Sequence, residues 1–222
     1  QAGSSTQKIR DFYNSYMDDA AATAIGIEAI REDLDAIAAI NSLDDVYSAF
    51  SSLGIYGVNS PIGIAIFSDM KDPDTQAIYV VQAGLTLPDR DYYLLDDEQF
   101  VTGRQLFIKY ATDIFKLAGY VDGTGRAKRL LALETSLAEV MWTKEENRDW
   151  SKRYNPMSIA ELNEMAPQIN WQLGFAVAQI AGREHYIVSQ PSYFEAASGI
   201  IAATPLETWK DYLALQTIST FA

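Results

Sequence analysis

The chain is 222 residues long, 48% hydrophobic and 21% charged, an ordinary globular composition with ample length for a core that needs no disulfide or metal staple. Seventeen Lys and Arg against 30 Asp and Glu leave a net charge of −13, which argues against nucleic acid or an anionic membrane as the main partner. The absence of Cys excludes a thiol nucleophile and a disulfide framework, a single His cannot supply a His-rich zinc site, and no apolar run approaches the ~18 residues of a membrane helix. The first residue is Gln1, with no basic-then-apolar leader. The expectation is a start left by processing or trimming, which fits a secreted or periplasmic mature protein and equally an excised fragment.

In chain order, Ile9, Phe12, Tyr13 and Tyr16 recur at i, i+3, i+4 and i+7, the spacing of a helix with one buried face. Ile27, Ile30, Leu34, Ile37 and Asn41 continue that spacing after the small-residue stretch 20–24. Ser42 opens a short helix carrying Val46, Phe50 and Leu53, with Gly54 as its C-terminal cap. The period then changes to two. Ile62, Ile64 and Ile66 alternate with Gly63, Ala65 and Phe67, and Ile78 and Val80 with Tyr79 and Val81. Lys71-Asp72-Pro73-Asp74 lies between, so the pair predicts a β-hairpin over about residues 62–82.

Asp97 can cap the next helix, whose stripe runs through Phe100, Phe107, Ala111 and Phe115 to a stop at Gly119. A second long helix follows Asp122-Gly123-Thr124-Gly125 and carries Leu130, Leu133, Leu137, Val140 and Met141. Ser158 and Glu161 form a capping box and Pro167 ends that helix. Trp171–Ile180 reads as helical, Tyr186–Val188 as a short strand before Pro191, and Tyr193–Ile201 as helical again. The last helix begins with Thr204 as N-cap, Pro205 at its first position and Glu207 closing a capping box. It then carries Leu206, Trp209, Tyr212, Leu213, Leu215, Ile218 and Phe221 around most of its circumference. A helix apolar nearly all round expects burial on several sides, and this one runs to Ala222 without a Gly cap or polar tail. The expectation is a boundary through a longer protein, with an apolar patch around Trp209, Leu213 and Phe221. The fold class is mainly α, a multi-helix domain with one small hairpin.

No H-E-x-x-H, G-x-S-x-G, full P-loop or dinucleotide fingerprint occurs. His185 lacks a marked nucleophile to activate and reads as a surface or structural residue. Gly123 to Lys128 faintly suggests a phosphate cradle, but it joins two helices and reads as a cap and turn. Asp69, Asp72 and Asp74 lack the spacing of a calcium loop and suit a solvated hairpin turn. Ser5 and Lys8 match serine–lysine spacing within a polar N-terminal tail, without partner motifs. Glu134 and Glu139, five apart on one helix, point in different directions, so a solvated or ion-paired role is expected. Composition and spacing give no catalytic or metal residue, and leave the substrate-binding residues unknown. Some of the aromatic side chains could line a peptide-binding surface.

Several stretches resemble one family, the zinc metallopeptidases that include neprilysin and the endothelin-converting enzyme. Residues 82–94, Gln82-Ala83-Gly84-Leu85-Thr86-Leu87-Pro88-Asp89-Arg90-Asp91-Tyr92-Tyr93-Leu94, are similar to its Q-x-G-L-G-L-P-x-R-D-Y-Y. Asp69-Met70-Lys71-Asp72 resembles its D-x-K-N turn, Leu133-Glu134-Thr135-Ser136-Leu137-Ala138 its L-E-x-x-L-A, and residues 154–162, from Tyr154-Asn155-Pro156-Met157 to Leu162, its Y-N-P-M-S-L-A-E-L. Tyr13-Asn14-Ser15-Tyr16-Met17-Asp18 matches a Y-x-S-C-M-D region, with Tyr16 where many members carry a disulfide Cys. The motifs follow the family's order across nearly the whole chain. Within residues 82–94, Pro88 sets a turn, Arg90 is placed to fork into a carboxylate or backbone carbonyls, and Tyr92 and Tyr93 seat the crossing into the next helix, which reads as structural wiring.

The resemblance implies a two-domain endopeptidase in which a Glu activates zinc-bound water on H-E-x-x-H with a downstream E-x-x-x-D. A mainly helical lid encloses a chamber that admits peptides. Residues 1–203 resemble that lid and 204–222 the helix beginning the catalytic domain. The zinc, substrate-backbone and substrate-arginine motifs belong to segments outside these residues, so no catalytic, metal or substrate residue carries over. The chain is then expected to be inactive by itself, without its own cofactor, with the zinc domain and peptide substrates as partners and an extracytoplasmic, bacterial setting. The rival reading is a stand-alone, non-catalytic interaction module or one half of a split peptidase.

Overall fold

The computed structural model describes residues 3–221, so what was expected of Gln1 and Ala222 falls outside the described residues. The chain is mainly α, as its periodicity predicts. It begins with α1 (Ser5–Tyr16), α2 (Asp19–Ile25), a 3-10 turn (Gly26–Ile30), α3 (Arg31–Ala38) and α4 (Leu43–Gly54). Strands β1 (Ile62–Ser68) and β2 (Gln76–Gln82) follow, then α5 (Asp91–Leu94), α6 (Glu98–Leu117) and α7 (Gly123–Val140). The remainder is β3 (Asn155–Met157), α8 (Ile159–Met165), α9 (Trp171–Val177), β4 (Tyr186–Val188), α10 (Pro191–Ala203) and α11 (Leu206–Phe221).

Local chemistry accounts for most boundaries. Ser42 and Asp45 close a reciprocal capping box on α4, and Ser158 and Glu161 close one on α8. Asp122, in the left-handed region at φ 54°, accepts from the Gly125 N–H and starts α7, so the Gly-rich stretch is a helix start. Gly119, at φ 83°, ends α6, whereas α4 includes Gly54 and the left-handed residue lies later, at Gly57. The start of α11 differs from expectation. The Thr204 hydroxyl donates back to the Ile200 carbonyl at 2.8 Å, and Pro205 supplies the first accepting carbonyl.

The hairpin forms in the expected place, with register from Ile62 opposite Gln82 to Ser68 opposite Gln76. It belongs to a four-stranded sheet of order β1-β2-β4-β3, where β4 runs parallel to β2 and antiparallel to β3. The short strand expected at Tyr186–Val188 supplies the third strand. Ile78 and Val80 point from the sheet into a core shared with Phe50 of α4, Phe115 of α6, Leu130 and Leu137 of α7 and Tyr193 of α10.

Two packing expectations are corrected. The α1 face is not buried: Ile9 is 69% exposed, Phe12 75% and Tyr16 78%. The stripe shows that the face is apolar, but among the described residues nothing covers it. In the other direction, α11 is enclosed by its own chain. Trp209 and Leu213 are fully buried and Phe221 is 44% exposed, so the expected patch shrinks to the last turn. The Trp209 ring meets Phe50 edge-on at 5.2 Å, and α11 packs on α3, α4, α6 and α7.

Candidate functional site

The segment from Gln82 to Leu94 leaves β2, crosses the core and enters α5, and its polar groups are satisfied by elements distant in sequence. Gly84 adopts φ 101°, where a Cβ would lie 2.8 Å from the Pro61 Cα; the close approach requires glycine. Its N–H donates to the Asn59 Oδ1 at 3.2 Å, and its carbonyl accepts from the Tyr212 hydroxyl of α11 at 3.0 Å. The Gln82 side chain clasps the Trp142 backbone in both directions, at 2.8 and 3.2 Å.

Glu134 of α7 lies at the centre. It is fully buried, not solvated or ion-paired as expected, because it falls on the stripe formed by Leu130, Leu133 and Leu137. Glu139 is exposed. The Glu134 carboxylate accepts from the Thr86 N–H at 2.8 Å, the Thr86 hydroxyl at 2.7 Å and the Tyr93 hydroxyl. Tyr93 accepts in turn from the Leu87 N–H, and Gln216 of α11 donates to the Thr86 hydroxyl. Burial pushes the Glu134 carboxyl up to about 7, although the hydrogen bonds from Tyr93 and Thr86 favour its ionised form. Burial likewise raises the Tyr93 and Tyr212 hydroxyls far above their ordinary range.

Arg90 forks into backbone carbonyls, those of Ala138 at 3.0 Å and Glu139 at 3.4 Å near the C-terminus of α7, where a cation complements the helix dipole. Lys144 bridges Asp89 at 2.8 Å and Asp91 at 3.2 Å. An open cleft of about 600 Å³ runs beside the crossing, with Leu85, Leu87 and Pro88 on its wall and Trp142, Lys144 and Arg148 opposite. Asp89, Arg90 and Lys144 on its lining are engaged with one another or with backbone, an arrangement that holds shape and pairs no nucleophile with a base.

The other sequence candidates separate. His185 is exposed just before β4. Ser5 and Lys8 sit in the first turn of α1, not in a tail. Asp69 closes the hairpin loop by accepting from the Lys71 and Asp72 N–H groups and from the Tyr154 hydroxyl, and the Lys71 N–H bond above all holds its carboxyl below the usual range. Asp72 and Asp74 are exposed. The sequence gives one sign of Glu134, its place on an apolar stripe. It gives little of Asp211, buried on α11 and held by Arg126 and, at 3.0 Å, by Arg129, one turn apart on α7. A zinc ion does not fit this donor set: the only imidazole is exposed, there is no thiolate, and no three His, Asp or Glu converge among the described residues.

Comparison with known proteins places this geometry in context. The sequence model described as peptidase family M13, for its N-terminal part, matches residues 1–222. Human endothelin-converting enzyme 1 is 31% identical over 158 residues, covering 67% of this chain and 20% of its own length, and a homologue from Locusta migratoria is 33% identical over 148 residues. This chain therefore spans about a fifth of the length of the curated relatives it matches. In the inhibitor-bound crystal structure of the Mycobacterium tuberculosis zinc metalloprotease Zmp1, 34% of that chain superposes on 98% of this one, with TM-score 0.89 and 25% identity. PepO from Lactobacillus rhamnosis shares the fold, with TM-score 0.67 and 18% identity. The chain belongs to peptidase family M13, the neprilysin and endothelin-converting enzyme family of zinc metallopeptidases, and corresponds to its N-terminal region.

Proposed function

We propose that this region is the non-catalytic lid of a neprilysin-like zinc metalloendopeptidase, closing over a chamber that holds small peptides. The observation that supports it is the fit of nearly the whole chain to about a third of a zinc metalloprotease, with TM-score 0.89. The zinc and the residues that work with it belong, in this reading, to the remaining two-thirds, since the donor set of this chain does not fit the metal. Residues 1–203 form the body of the lid, and α11, anchored in that body, leads to the catalytic half. The bare apolar face of α1 suits contact with that half. By itself the region hydrolyses no peptide. The setting is periplasmic or secreted; no described helix is long and apolar enough to cross a membrane.

The test is expression of the catalytic remainder with and without this region, followed by cleavage of one target sequence as a short peptide and within a folded protein. With the region present, the peptide is strongly preferred; without it, the preference falls. An unchanged ratio refutes the lid role. Stoichiometric zinc and chelator-sensitive cleavage in the purified 222-residue chain refute its inactivity.

A further inference from the structure

The face of the sheet turned away from the core carries a recess far along the chain from the crossing. Alternation along β2 sends Ile78 and Val80 inward and places Tyr79 and Val81 on the opposite face, together with Phe67 of β1. The 3-10 turn Trp150–Arg153 stands beside that face. A cavity of about 320 Å³ lies between them, lined by Phe67, Met70, Tyr79, Val81, Trp150 and Arg153. Phe67 and Trp150 are each exposed by more than half, so the recess opens between apolar surfaces that face water.

Arg153 is the one charged group on this lining, and it is under-used. Its Nε–H is buried without an acceptor, and its one hydrogen bond among the described residues is a long contact from Nη1 to the Asn147 carbonyl, 3.4 Å. No described carboxylate pairs with it; the guanidinium lies 4.5 Å from the centroid of the Trp150 ring. Asp69, in the nearby hairpin loop, is already held by two backbone N–H groups and Tyr154 and is not part of the lining. A half-buried guanidinium on the lining without a described carboxylate partner calls for an anion, and a carboxylate can accept charge-assisted hydrogen bonds from it. The apolar walls call for a hydrocarbon body, and the volume suits one aromatic or branched side chain.

We propose that this recess binds an apolar carboxylate, such as the C-terminal aromatic or aliphatic residue of a peptide, with Arg153 clamping the carboxylate and Phe67, Tyr79 and Trp150 around the side chain. The assignment does not rest on the peptidase reading, because every group it uses is in this chain. The 222-residue chain is titrated with N-acetyl-phenylalanine and with its amide, followed by calorimetry and by the Trp150 indole resonance. The acid binds saturably and the amide at least about tenfold more weakly, since only the acid offers a charged acceptor. Arg153→Gln weakens the acid by a similar factor and leaves thermal unfolding unchanged, whereas Phe67→Ser weakens acid and amide alike. A peptide ending in free Phe that binds more tightly than hydrocinnamate assigns the site to peptide C-termini; equal binding assigns it to free apolar acids. Equal affinity for acid and amide, no saturable binding of the acid, or an Arg153→Gln variant that binds the acid as the wild type does overturns the proposal.

Discussion

Replacing Glu134 by glutamine tests the buried carboxylate through the pH dependence of stability. Its carboxyl rises from an ordinary 4.5 to about 7 on folding, chiefly because burial disfavours the charge. Between those values the folded chain keeps a proton that the unfolded chain has lost, so stability falls as pH rises. The contribution is whole below pH 4.5 and gone above about pH 7. At about 1.4 kcal/mol per pH unit it totals about 3 kcal/mol. The acid end is unsuitable for measurement because the isoelectric point is near 4.4. From about pH 5.5 to about pH 8 the same relation leaves about 2 kcal/mol. Glu134→Gln keeps the size and an acceptor for the Thr86 N–H but cannot ionise, so its cost is nearly independent of pH. Urea unfolding of both proteins at matched ionic strength, followed by far-ultraviolet circular dichroism, gives the difference at each pH, and other titrating groups cancel. The wild-type advantage shrinks by about 2 kcal/mol across the window. A difference constant to within about 0.5 kcal/mol means the carboxyl titrates alike folded and unfolded, so burial does not raise it.

Two further substitutions probe the same body. Gly84→Ala puts a methyl 2.8 Å from the Pro61 Cα at a φ of 101°, with backbone on both sides of the clash. It lowers unfolding free energy by about 2 kcal/mol or more, and an unchanged urea midpoint refutes the close approach. Asp211→Asn leaves Arg126 and Arg129 facing a neutral group. Both arginines reach water, so the cost is about 2 kcal/mol, less than for a fully buried pair. A thermal midpoint unchanged by Asp211→Asn shows the cluster to be idle.

What the sequence carried was periodicity and punctuation. Ile62, Ile64 and Ile66 against Ile78 and Val80, with Asp72-Pro73-Asp74 between, placed the hairpin within a residue or two of where it stands. β3 gave no such signal: it is three residues long, contains Pro156, and exists because β4 offers it an edge. The α1 stripe was legible as apolar, but periodicity says that a face wants cover, not that its cover lies in the same chain. A charge on a helix reads as solvated or ion-paired, but the position of Glu134 among Leu130, Leu133 and Leu137 is the better clue, and the side chain is buried. The recess around Arg153 was not readable at all. Its walls come from β1, β2 and a turn about 70 residues later, and no local pattern ties Trp150 to Phe67.

The cross-ties bear on how such a lid would move. Tyr193 of α10 donates to the Pro61 carbonyl, Tyr212 of α11 to that of Gly84, and Tyr47 of α4 to that of Gln168. Each of these hydroxyls reaches a loop carbonyl from a helix more than 100 residues away in sequence, and two of the three meet around the crossing that Glu134 holds from α7. Opening between the sheet and α10 and α11 would break the Pro61 and Gly84 bonds together and disturb the crossing that holds Glu134. That cost is far larger than the cost of uncovering the bare face of α1, where no described side chain is buried. Were the region to close over a catalytic half as proposed, it would therefore move as a rigid body. The sheet, α7 and α11 would then travel together, and the uncovered face of α1 would be the one free to make and break contact.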